Sequence, residues 1–480
     1  MKNSSLTKNI SLYTVGQFLA QALSFALLPI YINKLSVSEY GVVAVFMAVG
    51  TFLNAIMQYG FSPTLLRYYF DFKDDPKKFN SLFSTLILFL VAGNIAILAI
   101  LYLIHNYVYE LSISGVEVSD YIYYVLGYSF LFTFPLLNLS LFRIKGKAKE
   151  YLFFNITQFF ISLGVIYYFV VINEEGALGK IKGDFWARVP LFLISFFLYK
   201  RYFTLKNLKA SYLKASLRFG IPLMLQSLLW WGLYRLDYFL IENQLGSDYL
   251  GLYNLSFQIS FVIITVGISF SLGWTPHFFS IADKKSTPRL YGNIIGNYIA
   301  FITVACIFIQ IVGYHVFNVI GGQKYFEIFT FLPWLLVGAI FQSSYYLIHQ
   351  TIQYSRKTCS IPLILGLGIL ASFILEYVFI KEYKLFGISI IKILTFGFVF
   401  ILTFYVGQKH YKIRVPRVKI ISAIIILAVN FGIGFFLDYE LSDFIIKLLI
   451  LLSSIVIVLY FLPFFSLREK SILFKKLKLR

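Results

Sequence analysis

Apolar runs of about twenty residues recur from one end of this 480-residue chain to the other, and short polar segments separate them. As an α-helix, each run can cross a hydrocarbon core of about 30 Å. The strands of a membrane β-barrel would instead alternate between apolar and polar positions in shorter segments. The pattern therefore predicts an all-α polytopic membrane protein. We predict fourteen transmembrane helices, at approximately residues 10–33, 40–62, 80–104, 120–142, 150–172, 176–200, 213–241, 250–272, 290–319, 328–352, 361–380, 385–407, 418–437 and 444–466.

Basic residues alternate between the two predicted sides of the membrane. Most of the 42 Lys and Arg residues fall in the segments that are cytoplasmic if the N-terminus is inside. Positive residues favour the cytoplasmic side, so we predict that both termini are cytoplasmic, in a bacterial inner membrane. The net charge of +20 therefore indicates membrane topology and not binding to nucleic acid. The predicted outer segments hold few basic residues, namely Lys34, Arg235, Lys324, Lys381 and Lys384.

Composition agrees with this class of protein. Hydrophobic residues make up 59% of the chain and charged residues 13%, whereas a soluble chain carries about a quarter charged residues. The N-terminal segment has two lysines and no small-residue cleavage site, which predicts a retained first span and not a cleaved signal peptide. Cys306 and Cys359 fall in or beside predicted spans and form neither a disulfide framework nor a metal site.

An internal repeat is visible at an offset near 210 residues. The segment 33–41 parallels 243–251, and Gln17 aligns within one residue of Gln226. Because the copies are separated by an even number of spans, they have the same orientation in the membrane. The repeat predicts two six-helix lobes, residues 1–205 and 206–410. Residues 411–480 then supply two extra transmembrane helices and a basic cytoplasmic tail.

Ionisable residues within the predicted spans are candidates for a functional site, because such groups are costly in hydrocarbon. Lys180, Asp184 and Arg188 follow one another at intervals of four on one helical face. Asp184 can pair well with only one neighbour, so about one positive charge is left over. Lys392 and Glu376 could pair in the second lobe. These residues either form interhelical salt bridges or, mainly through Arg188 and Lys392, line a cavity that recruits an anionic substrate.

Uncharged polar residues recur at helical spacing in several spans. They either hydrogen-bond between helices or line a hydrophilic cavity that meets sugar hydroxyls. These candidates are Gln17, Gln21, Asn54, Gln58, Gln226, Gln342 and His349. His349 is alone on its face and predicts no metal site.

Structural roles are expected for Asp184 and Glu376, and for Arg235 and Asp237 near the outer end of the seventh span. The chain shows no Gly-rich phosphate loop, nucleophile–histidine pair or metal spacing, so we predict no enzymatic activity and no cofactor.

Four motifs, in order and spacing, carry a resemblance to a known family. They are Thr14–Gln17 through Leu35–Gly41; Phe219–Pro222 with Asp237 and Gly251–Tyr253; Trp274–Pro276; and Tyr325–Phe326 leading into Leu332–Trp334. The chain resembles the Wzx-type polysaccharide and oligosaccharide-lipid flippases of the multidrug/oligosaccharidyl-lipid/polysaccharide exporter superfamily.

The resemblance implies a central cavity open alternately to each side of the membrane. It implies that the substrate is a polyprenyl-pyrophosphate-linked oligosaccharide for O-antigen, capsule or exopolysaccharide. A polysaccharide polymerase and a chain-length regulator are the implied partners. Family members line the cavity with basic residues, and assigning that role to Arg188 and Lys392 is an inference from their span positions. Cavity charge is sparse here, so a less anionic carrier or a more neutral glycan also fits.

Three other classes of protein were weighed against this one. A cation-coupled drug antiporter of the same superfamily should carry acidic residues deep in its N-terminal spans, and spans one to five have none. A membrane polymerase or glycosyltransferase should carry a large outer loop or a catalytic carboxylate. A scaffolding membrane protein would need no charges between lobes.

Overall fold

The computed structural model describes residues 27–72, 74–103, 112–113, 116–204, 208–355, 357–414 and 421. Gln17, Gln21 and most of the first predicted span lie outside the described residues. So do the thirteenth and fourteenth spans, apart from Ile421. Everything below refers to the described part of the chain.

Twelve α-helices make up almost all of that part. One two-residue antiparallel ladder pairs β1 (Ser112–Ile113) with β2 (Val116–Glu117) in an outer segment that was expected to be a loop. The helices are α1 (Leu28–Lys34), α2 (Val37–Met57), α3 (Phe61–Asp71), α4 (Pro76–Leu103), α5 (Val118–Ile144), α6 (Ala148–Tyr167), α7 (Gly176–Tyr199), α8 (Ala210–Leu245), α9 (Ser247–Ile281), α10 (Thr287–Val319), α11 (Ile328–Tyr354) and α12 (Ser360–His410).

Eight helical stretches of the described residues are long and apolar enough to cross a membrane. Each predicted span from the second to the twelfth coincides with a helix, and several of these helices extend beyond the predicted ends. Helices α7 and α8 are not among the eight, because α7 carries several charges and α8 mixes polar with apolar residues. The all-helical class is therefore confirmed, whereas the count of fourteen spans stays a prediction.

The break inside α12 separates the predicted eleventh and twelfth spans. Lys384 has φ 47° and ψ −140° between two helical segments. A positive φ is unfavourable for a residue with a Cβ atom, and the Lys384 ammonium hydrogen-bonds the Tyr249 hydroxyl at 3.0 Å. The 51-residue helix is thus two helices joined at a strained residue.

Helix α2 begins with a capping box inside the Leu35–Gly41 motif. The backbone N–H of Glu39 donates to Ser36 Oγ at 3.1 Å, and the backbone N–H of Ser36 donates to Glu39 Oε2 at 2.8 Å. The two side chains thus accept hydrogen bonds from two backbone N–H groups that have no partner within the helix. Glu39 Oε1 also accepts from the backbone N–H of Ala177 at 3.3 Å, which joins the starts of α2 and α7.

The described residues fall into two compact units. The first comprises Met1–Leu255 and Leu365–Ile388, and the second comprises Ser256–Ile364 and Ser389–Arg480. The lobe boundaries drawn from the repeat stay a prediction. In the first unit an aromatic core forms around Phe83, Phe134 and Tyr199, and the Tyr199 hydroxyl donates to the Phe134 carbonyl at 2.6 Å. In the second unit Ser343 Oγ donates to the Ile263 carbonyl at 2.9 Å.

Glycines allow α2 and α9 to touch backbone to backbone within the first unit. A Cβ atom at Gly41 would overlap the Ser247 carbonyl, and one at Gly251 would overlap the Val37 carbonyl. Gly41 and Gly251 are equivalent at the repeat offset of 210, and so are Val37 and Ser247. The contact is therefore reciprocal, as at a two-fold interface.

Alanine at Gly41 is expected to destabilise the protein, because the two helix backbones must separate to admit the methyl group. Overpacking of this kind costs about 1–3 kcal/mol. The matched control is Gly164→Ala in α6, where nothing lies within 4 Å of the added Cβ atom. The measurement is the apparent Tm in detergent. Equal apparent Tm values for Gly41→Ala and Gly164→Ala would show that the backbones of α2 and α9 are not in close contact.

Candidate functional site

Helix α7 of the first unit carries three charged residues on one face, and two of them, Asp184 and Arg188, are buried. Lys180 and Asp184 form an ion pair, with side chains 11% and 9% exposed. The Lys180 ammonium also lies 5.4 Å from the centre of the Tyr31 ring in α1. Because the two opposite charges are one helical turn apart, they largely neutralise each other. Because Asp184 pairs with Lys180, the positive charge left over on this face is that of Arg188.

That third residue is Arg188, whose guanidinium is buried against two aromatic rings of α5. Arg188 is 8% exposed, and its guanidinium carbon lies 4.5 Å from the Phe132 ring centre and 5.5 Å from the Tyr128 ring centre. Both rings attract the cation through their faces. Tyr128 and Phe132 are one helical turn apart, so α5 presents them as a single aromatic platform.

Two donors of Arg188 have no acceptor among the described residues. Nε and Nη1 are buried and make no hydrogen bond to that part of the chain. A buried donor left unsatisfied costs about 1–3 kcal/mol, and a buried charge without a counter-charge costs more. An acceptor that carries negative charge would remove both penalties through charge-assisted hydrogen bonds. The arrangement is thus suited to binding an anionic group.

A second ion pair lies where α7 begins. The Lys182 ammonium donates to Glu175 Oε2 at 2.7 Å, and this hydrogen bond holds the pKa of the Glu175 carboxyl below its ordinary value. Asn173 adds a weaker donor at 3.2 Å. Lys182 is therefore a compensated cation, only six residues from the uncompensated Arg188.

Asn54 and Gln58 border a polar cavity in the same unit. Gln58 Nε2 donates to Asn54 Oδ1 at 2.6 Å, and Asn54 Nδ2 donates to the Ser129 carbonyl at 3.4 Å. The cavity has a volume of about 150 Å³ between α2, α3 and α8, and Thr51 and Ser227 add hydroxyl groups to its wall. This volume admits several water molecules. Ser129 follows Tyr128 in α5, so Arg188 and Asn54 pack against the same turn of that helix.

The other predicted cavity residues lie elsewhere. Gln226 is half-buried in α8 of the first unit, while Gln342, His349 and Lys392 belong to the second. Gln342 and Lys392 are buried. His349 stacks on the Tyr345 ring, and its Nδ1 lies 2.9 Å from the Tyr346 carbonyl. Among the predicted site residues that the structure describes, those brought together around one turn of α5 are therefore the charged residues of α7 and the Asn54–Gln58 pair.

The expected structural residues have protein partners. Arg235 hydrogen-bonds the Tyr238 hydroxyl, and Asp237 accepts from the Tyr253 hydroxyl in α9. Glu376 is buried and accepts from Ser372 Oγ at 2.7 Å. These contacts join neighbouring turns and helices within the first unit.

Sequence reasoning missed the aromatic platform of Tyr128 and Phe132. Their spacing of four in a predicted span was the available signal, but aromatic pairs at this spacing are common in a chain that is 20% aromatic. Within the described residues, no group of three or more His, Cys, Asp or Glu side chains could hold a metal ion.

Comparison with known proteins adds independent information. A family model described as "Polysaccharide biosynthesis protein" matches residues 35–330. No curated protein matches the sequence significantly. The fold is similar to that of the lipid II flippase MurJ in an inward closed conformation, with a TM-score of 0.69 and 12% identity, covering 93% of this chain and 97% of that chain.

Multidrug transporters share the fold as well. An outward-facing structure of a multidrug resistance MATE family transporter of the MOP superfamily has a TM-score of 0.58 and 18% identity, covering 84% of this chain and 95% of that chain. An inward-facing structure of such a transporter has a TM-score of 0.59 and 17% identity, over 81% and 94%. At these identities the similarity establishes the fold.

Proposed function

Because the chain belongs to the polysaccharide biosynthesis protein family, we propose that it flips polyprenyl-pyrophosphate-linked oligosaccharides from the cytoplasmic to the outer leaflet of a bacterial inner membrane. Its fold is that of the multi-pass flippases and transporters of the MOP superfamily, as the sequence resemblance predicted. On this proposal the chain is a transporter and not an enzyme, which its family and its fold support. The flipped units would serve O-antigen, capsule or exopolysaccharide assembly, with a polymerase and a chain-length regulator downstream.

The proposed mechanism is alternating access. Residues 1–205 and 206–410 act as two lobes of a fourteen-span protein whose termini are both cytoplasmic. A diphosphate and several sugars cannot cross hydrocarbon without polar partners, because each unsatisfied polar group costs several kcal/mol there. A polar, positively charged cavity lowers this barrier while the polyprenyl tail stays in lipid.

Arg188 is the observation on which the proposal rests most heavily. Its buried Nε and Nη1 lack acceptors among the described residues, and different oxygens of a pyrophosphate group can accept a charge-assisted hydrogen bond from each. Asn54 and Gln58 supply amide groups suited to sugar hydroxyls. We assign Lys392, buried in α12, as a second cation for the substrate, with Lys180 holding Asp184 away from the anion.

The MATE fold similarity favours a second candidate, a cation-coupled drug antiporter. Such a protein is expected to carry a buried carboxylate in its N-terminal spans, where the carboxylate binds the coupling ion or the cationic drug. Among the described residues of α1 to α6 no acidic side chain is buried, and the first buried carboxylate, Asp184, is paired with Lys180. The charge of the buried site thus favours an anionic substrate.

Deleting the gene is expected to abolish display of the surface polysaccharide and to trap lipid-linked units in the inner leaflet. Wild-type protein should restore display, whereas Lys392→Ala, at equal protein level, should restore clearly less. The measurement is surface polysaccharide on a gel, with immunoblotting for protein level. Normal display in the deletion strain, with no substitute flippase present, would reject the function. A drug-efflux defect without a polysaccharide defect would support the antiporter.

A further inference from the structure

Three basic residues surround a second, larger cavity between α3 and α8. The cavity has a volume of about 570 Å³ and is lined by Arg67 and Tyr68 of α3 and by Ser211, Lys214, Ala215, Arg218 and Phe219 of α8. This volume falls in the range of small-molecule binding sites. By the charge pattern, this end of both helices is the predicted cytoplasmic end.

Within the part of the chain that the structure describes, no carboxylate compensates these three charges. No acidic residue lines the cavity, and none of Arg67, Lys214 and Arg218 forms an ion pair with a described residue. Lys214 and Arg218 are also one helical turn apart, where like charges repel each other. By contrast, Lys34, Lys78, Lys147, Lys180 and Lys182 each have a carboxylate within 4 Å. All three residues are exposed, and an anion in the cavity would relieve the repulsion among their charges.

The cavity is also partly organised in advance. The Arg67 guanidinium stacks on the Phe219 ring, with 4.9 Å between its central carbon and the ring centre. This contact joins α3 to α8 and restricts the side chain that would bind the anion. The Tyr68 and Ser211 side chains provide two hydroxyl donors on the same lining.

The basic cavity and the polar cavity lie along the same two helices. At the start of α3, a Cβ atom at Gly60 would overlap the backbone of Gly220 in α8, so the helices touch there. Residues 211–219 of α8 line the basic cavity, and residues 223–227 line the polar cavity that holds Asn54 and Gln58. The Gly60–Gly220 contact thus lies between the basic cavity and the polar cavity.

We propose that the basic cavity binds a phosphate or diphosphate group on the predicted cytoplasmic side. Arg67, Lys214 and Arg218 supply charge-assisted hydrogen bonds, and arginine forks match phosphate oxygens. The group belongs either to a lipid-linked diphosphate or to an ordinary anionic phospholipid. The inference concerns binding alone and goes beyond the proposed function, since it holds whether or not the bound lipid is then moved across the membrane.

The test measures binding to purified full-length protein in nanodiscs of phosphatidylcholine. Three probes are titrated by calorimetry: inorganic pyrophosphate, farnesyl diphosphate and dihexanoyl phosphatidylglycerol. The test variant carries Arg67→Gln, Lys214→Gln and Arg218→Gln. The control variant carries Lys284→Gln, Lys285→Gln and Arg289→Gln, which removes the same charge from exposed residues just before α10 and in its first turn. The single variants Arg67→Gln and Arg218→Gln give the same comparison if the triple variant is polydisperse.

Wild type and the control variant should bind with similar affinity, and the test variant should bind at least about tenfold more weakly, equivalent to about 1.4 kcal/mol. Tighter binding of the two diphosphates identifies a diphosphate lipid, and equal binding of phosphatidylglycerol identifies a phospholipid headgroup. The proposal is overturned if no probe binds wild type more tightly than the test variant, or if the control variant loses as much affinity. If the basic cavity binds these probes but the protein does not transport lipid, the proposed function is rejected and the proposed binding site stands.

Discussion

Replacing Arg188 with glutamine is expected to abolish transport and to leave the folded protein at least as stable as the wild type. The guanidinium has two buried donors without acceptors, so its removal costs the resting protein little. The substrate would lose two charge-assisted hydrogen bonds of about 1.5–3 kcal/mol each, which corresponds to about a 100-fold loss or more. Transport is measured in proteoliposomes, and stability as the apparent Tm in detergent.

Controls distinguish a substrate contact from a structural role. Lys182→Gln removes a cation from the same helix, but that cation is paired with Glu175, so transport should persist. Arg188→Lys keeps the charge and loses the fork, and it should retain part of the activity. If Arg188→Gln lowers the apparent Tm strongly, and export falls only as folded protein falls, Arg188 holds the helices together and does not bind substrate.

Breaking the buried ion pair is expected to have the largest effect on stability. Asp184→Ala leaves the Lys180 ammonium without its carboxylate on the same stripe as Arg188, which should destabilise the protein by about 3–5 kcal/mol. Replacing both partners, as Lys180→Met with Asp184→Leu, should be neutral or stabilising, because the desolvation cost of both charges disappears. The measurement is denaturant unfolding in micelles.

The exposed ion pair of Lys34 and Glu174 provides the comparison. Its side chains are 39% and 73% exposed, so Glu174→Ala should cost less than about 1 kcal/mol. Equal losses for Asp184→Ala and Glu174→Ala would show that the Lys180–Asp184 pair is solvated and not buried in the membrane-spanning part of the protein.

Hydropathy predicted most of the described helices because membrane thickness fixes their length. The predicted sixth span begins at Gly176, as does α7, and the gap between predicted spans eleven and twelve coincides with the break at Lys384. The ends that face water were harder to predict. Helix α3 runs to Asp71 through Arg67 and Tyr68, and a window that scores apolar content cannot distinguish a polar helical turn from a loop.

The site could be predicted only in part for a similar reason. Spacing placed Asp184 one turn from both Lys180 and Arg188, so either pairing was compatible with the sequence. Which of the two cations pairs with Asp184 depends on α5, because Phe132 and Tyr128 of that helix bind the face of the Arg188 guanidinium. Likewise, Arg67, Lys214 and Arg218 were visible only as markers of the cytoplasmic side, because their convergence on one cavity depends on how α3 packs against α8.

The most direct test of the central claim is flipping by purified protein in liposomes. Polyprenyl-pyrophosphate-linked oligosaccharide is placed in one leaflet, and its arrival in the other is followed with a glycan-directed probe that cannot cross the membrane. The account predicts transfer well above that of protein-free liposomes with wild type and Lys182→Gln, and background transfer with Arg188→Gln. Background transfer with folded wild type, or undiminished transfer with Arg188→Gln, would contradict it.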